Sequence, residues 1–135
     1  MISTKGRYAL RVMSDLAEHE GSGPVPLKEI SERQGISKKY LEIIVRDLVR
    51  SHLITGQSGK GGGYRLCRSP EEYTVLEIIE SAEGPLAAVA CLMPGAEPCP
   101  RIKECRTLFL WKDYDELTRS FFGSRKLSDL IRTEP

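Results

Sequence analysis

The run Leu27-Lys28-Glu29-Ile30-Ser31-Glu32-Arg33-Gln34-Gly35-Ile36-Ser37-Lys38-Lys39-Tyr40-Leu41-Glu42-Ile43-Ile44-Val45-Arg46-Asp47-Leu48-Val49-Arg50 decides the fold. A short helix beginning near Pro26 uses Leu27 and Ile30 as its apolar side and breaks at Gly35, after which Ser37 can cap a longer one. In that second helix Leu41, Ile44, Val45 and Leu48 recur at helical spacing and make a buried face. Lys38, Lys39, Glu42, Arg46 and Arg50 are left on the outer side. Two short helices around a tight glycine-containing turn read as a helix-turn-helix.

Working downstream, Ile54 and Thr55 start a strand, Gly59, Gly61, Gly62 and Gly63 turn it, and Tyr64 and Leu66 alternate with Arg65 on the return, which makes a wing. Upstream, Ala9, Val12, Met13 and Leu16 predict a first helix from about Gly6 to His19, stopped by Gly21-Ser22-Gly23-Pro24. Thr74-Val75-Leu76-Glu77 has the form of a capping box, and Val75, Ile78, Ile79 and Ala82 continue it as a helix that Gly84-Pro85 ends. From Leu86 to about Ile102 there is no sustained period, so this is a loop. Beyond it Leu110, Tyr114, Leu117 and Phe121 form one stripe with Leu108, Trp111 and Phe122 beside it. That stripe is too apolar for a solvated helix and predicts packing on a partner chain as well as on its own. The expected fold is mainly α: a winged helix-turn-helix with a small β-hairpin wing plus a long C-terminal dimerisation helix. The expected division is residues 1–70 for DNA binding and 71–135 for the cysteine loop and dimerisation helices.

A chain of 135 residues buries one modest core. It has no signal-peptide stretch and no apolar run of membrane-spanning length, which predicts a soluble cytoplasmic protein. The net charge of +1 hides an asymmetry. Residues 37–68 carry seven cations (Lys38, Lys39, Arg46, Arg50, Lys60, Arg65 and Arg68) against Glu42 and Asp47. Residues 69–104 reverse the balance, with seven glutamates against Arg101 and Lys103. The basic half is the candidate polyanion surface. A helix in the major groove needs polar side chains on its outer face, where lysine can donate to guanine or phosphate. Glu42 can only accept there; it favours a cytosine amino group and repels phosphate. The wing glycines permit close approach to a duplex, and Lys60 at the tip can meet a phosphate or the minor groove. The same charges would also serve as a solvated helix face with a flexible hairpin. No nucleotide-binding glycine spacing occurs.

Cys91, Cys99 and Cys105 fall within fifteen residues, spaced Cys-x7-Cys-x5-Cys. Thiols so close in a cytosolic chain suit a metal centre better than a disulfide. The spacing matches neither a Cys-x-x-Cys zinc pattern nor a ferredoxin run, so small apolar plugs in a loop remain the alternative. Cys67 is isolated and reads as such a plug. A thiol enzyme would need a nearby base, yet His19 and His52 lie far off in sequence and no Cys-His-Asp/Asn set is recognisable, so the expectation is that the chain is not an enzyme.

The motifs Ser3-Thr4-Lys5-Gly6-Arg7-Tyr8-Ala9-Leu10, Ile30-Ser31-Glu32-Arg33-Gln34-Gly35-Ile36-Ser37, Tyr40-Leu41-Glu42 and Gly61-Gly62-Gly63-Tyr64 resemble the IscR branch of the Rrf2 family of bacterial winged-helix regulators. The likeness runs from the N-terminus to about Leu130. It implies a homodimer joined by its C-terminal helices on double-stranded DNA with a palindromic operator. It implies base reading by Ser37, Lys39 and Glu42, with Lys5, Lys38, Tyr40 and Arg46 as further contacts. The wing residues Ser58, Lys60 and Gly62 would meet the duplex, with Ser58 standing where an arginine usually probes the minor groove. Lys39 stands where a serine is common, so the operator is expected to differ.

IscR-like proteins hold a two-iron, two-sulfur (2Fe-2S) cluster on three cysteines of this loop and a histidine three residues after the last. The resemblance therefore implies Cys91, Cys99 and Cys105 as iron–sulfur ligands, whereas the histidine position is Leu108 and the fourth ligand is unassigned. The implied function is a cluster-sensing regulator of cluster-biogenesis genes whose occupancy alters operator choice. The rival is a clusterless regulator of the same architecture that responds to thiol redox, nitric oxide or cysteine status.

Overall fold

Ser3 sits in extended backbone and accepts the amide of Gly6 through its hydroxyl, which starts α1 (Thr4–Glu18) two residues earlier than the apolar pattern predicts. The structure, a computed structural model, describes residues 2–19 and 21–131. Gly35, at φ 65, ends α2 (Leu27–Gln34) in the left-handed conformation that a glycine adopts without strain. Ser37 then caps α3 (Lys38–Arg50) by accepting the Tyr40 amide at 3.1 Å. Leu41, Ile44 and Leu48 are fully buried, so the helix-turn-helix forms as its pattern requires.

The turn out of α3 is tight. His52 takes φ 60, and the Leu53 amide donates back to the Leu48 carbonyl at 3.0 Å. Strands β1 (Ile54–Gln57) and β2 (Gly63–Leu66) pair antiparallel, with Ile54 opposite Leu66 and Gln57 opposite Gly63. Val25 adds an edge to this hairpin by exchanging both backbone hydrogen bonds with Tyr64, at 2.8 and 2.9 Å. A Cβ on Gly63 would strike the Val25 backbone, so this close approach demands glycine.

The capping box of α4 (Val75–Glu83) is complete. The Thr74 hydroxyl accepts from the Glu77 amide at 3.1 Å, and Glu77 accepts from the Thr74 amide at 2.9 Å. Just before it, Tyr73 is fully buried as a hub. Its hydroxyl donates to the Leu53 carbonyl at 2.6 Å and accepts the amides of Cys67 and Arg68 at 2.8 and 3.0 Å. Helix α4 packs against α1, and Ile78 and Ala82 join Ala9, Val12, Met13 and Leu16 in one core with the helix-turn-helix.

A long loop with one 3-10 turn, Ala90–Leu92, leads to α5 (Leu108–Gly123). The chain then returns to the core. Leu127 is fully buried and its amide donates to the Tyr73 carbonyl at 3.1 Å, while the Val75 amide donates to the Arg125 carbonyl at 2.9 Å. Helix α5 buries none of its own described residues: Phe109 is 73% and Leu117 68% exposed. Among the described residues no helix is long and apolar enough to cross a membrane. The architecture is that of a mainly helical winged helix-turn-helix with a two-stranded wing.

Candidate nucleic-acid interface and thiol loop

The outer face of α3 presents Ser37, Lys38, Lys39, Glu42 and Arg46 to solvent. Among the described residues Lys38, Lys39 and Arg46 enter no ion pair, which leaves their charges available to a polyanion. Ser58 and Lys60 are exposed at the wing tip. A Cβ on Gly62 would meet the Gln57 carbonyl, so glycine there keeps the hairpin turn closed. Two members of the expected set do something else first. Lys5 is half-buried with its Nζ 2.6 Å from Asp47 Oδ2, so it clamps α1 to α3. Tyr40 is half-buried edge-on against Tyr8, whose ring carries Arg11 at 5.1 Å. Arg11 also donates to the Gln34 carbonyl and side chain, tying α1 to the end of α2.

The inner support of this surface is a buried acid that the apolar pattern did not disclose. Asp15 on α1 is 2% exposed and accepts from Arg33 at 2.9 and 3.0 Å and from the Gln34 amide group at 2.9 Å. The His19 Nδ1 donates to the Asp15 carbonyl at 2.7 Å. Burial alone would raise the Asp15 carboxyl, but the hydrogen bonds and charge of its partners outweigh that and hold it below its ordinary value. The pair staples α1 to α2 and so fixes the first half of the helix-turn-helix. Arg68 plays the equivalent part behind the wing, 2.8 Å from Glu77 and stacked 4.3 Å over the Tyr73 ring.

The three loop cysteines are free thiols outside the core. Cys91, in the 3-10 turn, is exposed, and Cys99 and Cys105 are half-buried. The hydroxyl and amide of Thr107, with the Leu108 amide at the start of α5, hold the Cys105 thiol below its ordinary value. On donor chemistry the loop suits an iron–sulfur cluster in three of four ligands, since thiolates are the ligands such clusters take. The arrangement does not complete one. Among the described residues no three His, Cys, Asp or Glu side chains come together as a metal site, and the half-buried hydrocarbon of Leu108 supplies no donor.

The loop is anchored at its start. The Ala88 amide donates to Asp115 of α5 at 2.6 Å, and Arg119 of α5 reaches Glu80 of α4 at 3.1 Å. Between loop and helix runs an apolar groove of about 610 Å³ walled by Leu86, Met93, Tyr114, Leu117 and Phe121.

Comparison with known proteins joins these parts to one family. Residues 2–133 match the family model Rrf2, described as an iron-dependent transcriptional regulator. The HTH-type transcriptional regulator IscR of Xenorhabdus nematophila is 41% identical over 133 residues, which is 98% of this chain and 80% of that protein. Among solved structures, CymR, the global cysteine regulator of B. subtilis, superposes with a TM-score of 0.79 at 34% identity, covering 100% of this chain and 98% of that one. T. potens IscR gives a TM-score of 0.73 at 35% identity, covering 96% and 85%.

Proposed function

The chain belongs to the Rrf2 family of transcriptional regulators, and from that premise we propose that it is a dimeric regulator that reads double-stranded DNA with α3 and the wing and takes its signal at Cys91, Cys99 and Cys105. It is a regulator, not an enzyme. An iron–sulfur cluster of the 2Fe-2S type is the group these thiols would hold, controlling cluster-biogenesis genes through a change in operator choice. When bound, such a cluster supplies a charged inorganic centre that links three points of an otherwise open loop.

The observation that carries this reading is the placement of three free thiols outside the core, on a loop rooted at α4 and leading into α5. The residues of the chain divide the work. Lys38, Lys39 and Arg46 neutralise phosphates or donate to guanine, and Ser37, Tyr40 and Lys5 fix the pose of α3. Ser58, Lys60 and Gly62 bring the wing to the backbone. Glu42 discriminates: its exposed carboxylate accepts a cytosine amino proton and penalises operators that place a phosphate or an acceptor there. The α5 stripe of Phe109, Leu110, Tyr114, Leu117 and Phe121 joins two copies, which matches the protein to a two-fold-related operator.

Anaerobic treatment with iron and sulfide, followed by visible absorption and iron and sulfide analysis, tests the cluster. A coloured protein holding both elements is expected, and Ser at all three cysteines should leave it colourless. A colourless wild type overturns the cluster. Glu42→Ala should bind duplexes that the wild type rejects; an unchanged preference overturns the role of Glu42.

A second reading is favoured by Leu108 at the fourth-ligand position and by the lowered Cys105 thiol. There the thiols respond directly to oxidant or cysteine status, in keeping with the likeness to a global cysteine regulator. Operator binding by metal-free protein would then change with diamide and recover with dithiothreitol.

A further inference from the structure

Glu83, the last residue of α4, reaches across to the first turn of α1. Its Oε1 accepts the Ser3 amide at 2.6 Å. Its Oε2 is buried without a hydrogen-bond partner among the described residues and lies against Gly6, where any Cβ would collide with the carboxylate. A negative group at a helix N-terminus is favoured by the exposed amides and the dipole, so Glu83 pins this end of α1. One residue before Gly6, Lys5 is the side chain that grips Asp47 on α3. One residue after Glu83, Gly84 at φ 82 turns the chain into the loop that carries Cys91, and Glu83 itself stands in the wall of the groove under α5. A single carboxylate therefore touches the root of the thiol loop and, through one turn of α1, the helix proposed to read DNA.

We propose that Glu83 is a positioning residue: by holding the first turn of α1 it sets the pose of α3 through the Lys5–Asp47 pair. This rests on α3 being the recognition helix. The effect needs no contact between Glu83 and DNA, only two arrangements of the α1 terminus that hold α3 differently.

Gly6→Ala is the discriminating variant. Its methyl group displaces the flexible end of Glu83, while alanine is the better helix former, so α1 is not weakened by propensity. Glu83→Ala removes the same contact from the other side, and Glu83→Gln keeps an oxygen for the Ser3 amide. The probe is a duplex that the wild-type protein selects from a randomised library, with affinity read by fluorescence anisotropy at one salt concentration. Gly6→Ala and Glu83→Ala should each weaken binding about fivefold to tenfold, the double variant should be no weaker than either, and Glu83→Gln should recover most of the loss. Wild-type affinity in Glu83→Ala, or losses that multiply in the double variant, would overturn the proposal.

Amide hydrogen exchange of the free proteins gives a second measure that requires neither DNA nor cluster. Both variants should exchange faster across Lys38–Arg50 while the β1–β2 hairpin keeps its protection. Unchanged exchange in α3, or a uniform rise everywhere, would overturn the positioning role. Should the wild type select no duplex, the regulator reading itself fails, and exchange still decides for or against Glu83.

Discussion

Helices α3 and α5 carry the same kind of apolar stripe and meet opposite fates. Leu41, Ile44 and Leu48 of α3 are fully covered by their own chain, whereas Phe109, Leu110, Tyr114, Leu117 and Phe121 of α5 are each at least half exposed. Fully burying one such side chain contributes about 1.5–3 kcal/mol, so the part-covered stripe of α5 leaves unused roughly half of what its five side chains could contribute. Patterned apolar surface must be satisfied somewhere. The reader satisfies it internally; the arm from Gly84 to Gly123 does not, and the second copy proposed above is the company that would complete it.

The largest effect should come from denying α5 that company. Leu117→Arg puts a charge at the centre of the stripe, on a residue that is not part of the shared core. The protein should sediment as a monomer, with a melting temperature that is lower and no longer rises with protein concentration, and operator binding should fall by about 10²-fold or more as the two half-sites cease to be held together. A dimer that persisted would break the contrast between the two helices.

Next come changes inside the reader, which should show the reverse pattern, with stability lost and assembly kept. Asp15→Asn should cost about 2–3 kcal/mol in chemical denaturation, less than a fully buried pair because Arg33 is 31% exposed. Its pH dependence has a definite sign. Asp15 titrates at an ordinary 3.8 in the unfolded chain and lower in the fold, so the unfolded chain takes the proton first. The stabilisation is complete above that value and drains away as the pH falls below 3.8 towards the folded one; Asp15→Asn should flatten this acid limb. Tyr73→Phe removes a donor to Leu53 and an acceptor for two amides, and should cost about 1–2 kcal/mol with dimerisation intact.

The smallest effect belongs to the wing. Lys60→Ala should change neither stability nor assembly and should reduce the salt slope of operator binding by about one. No change in slope would remove Lys60 from the interface.

What the sequence disclosed and what it hid follow the range of the signals. The α3 stripe, the Ser37 cap, the Gly35 stop and the Thr74–Glu77 box are all encoded within a few residues, and each formed as read. The early start of α1 came from Ser3, a cap that a search for apolar spacing passes over. The Tyr73 hub, the return of Leu127 and the contact of Glu83 with Ser3 join segments far apart in the chain and leave no local trace. The basic face of α3 was legible because charge and periodicity coincide there. Asp15 was not, because an acid on an apolar face signals a partner without naming it. The cysteine spacing names a kind of chemistry, but the relative positions of three thiols on an irregular loop depend on backbone angles that no periodicity constrains.

Thr74 and Lys126 meet in an isolated bridge, so the chain leaves the reader and comes back to it at one place. Between them α4 still packs on α1 in the shared core, so the excursion proper is the segment from Gly84 to Gly123, carried between two ends fastened side by side. A segment fastened in this way is a cassette: its interior can be shortened, lengthened or given different chemistry without threading a new path through the core. Such a mounting leaves the spacing of Cys91, Cys99 and Cys105, and the side chain at Leu108, free to vary without disturbing the core behind α3.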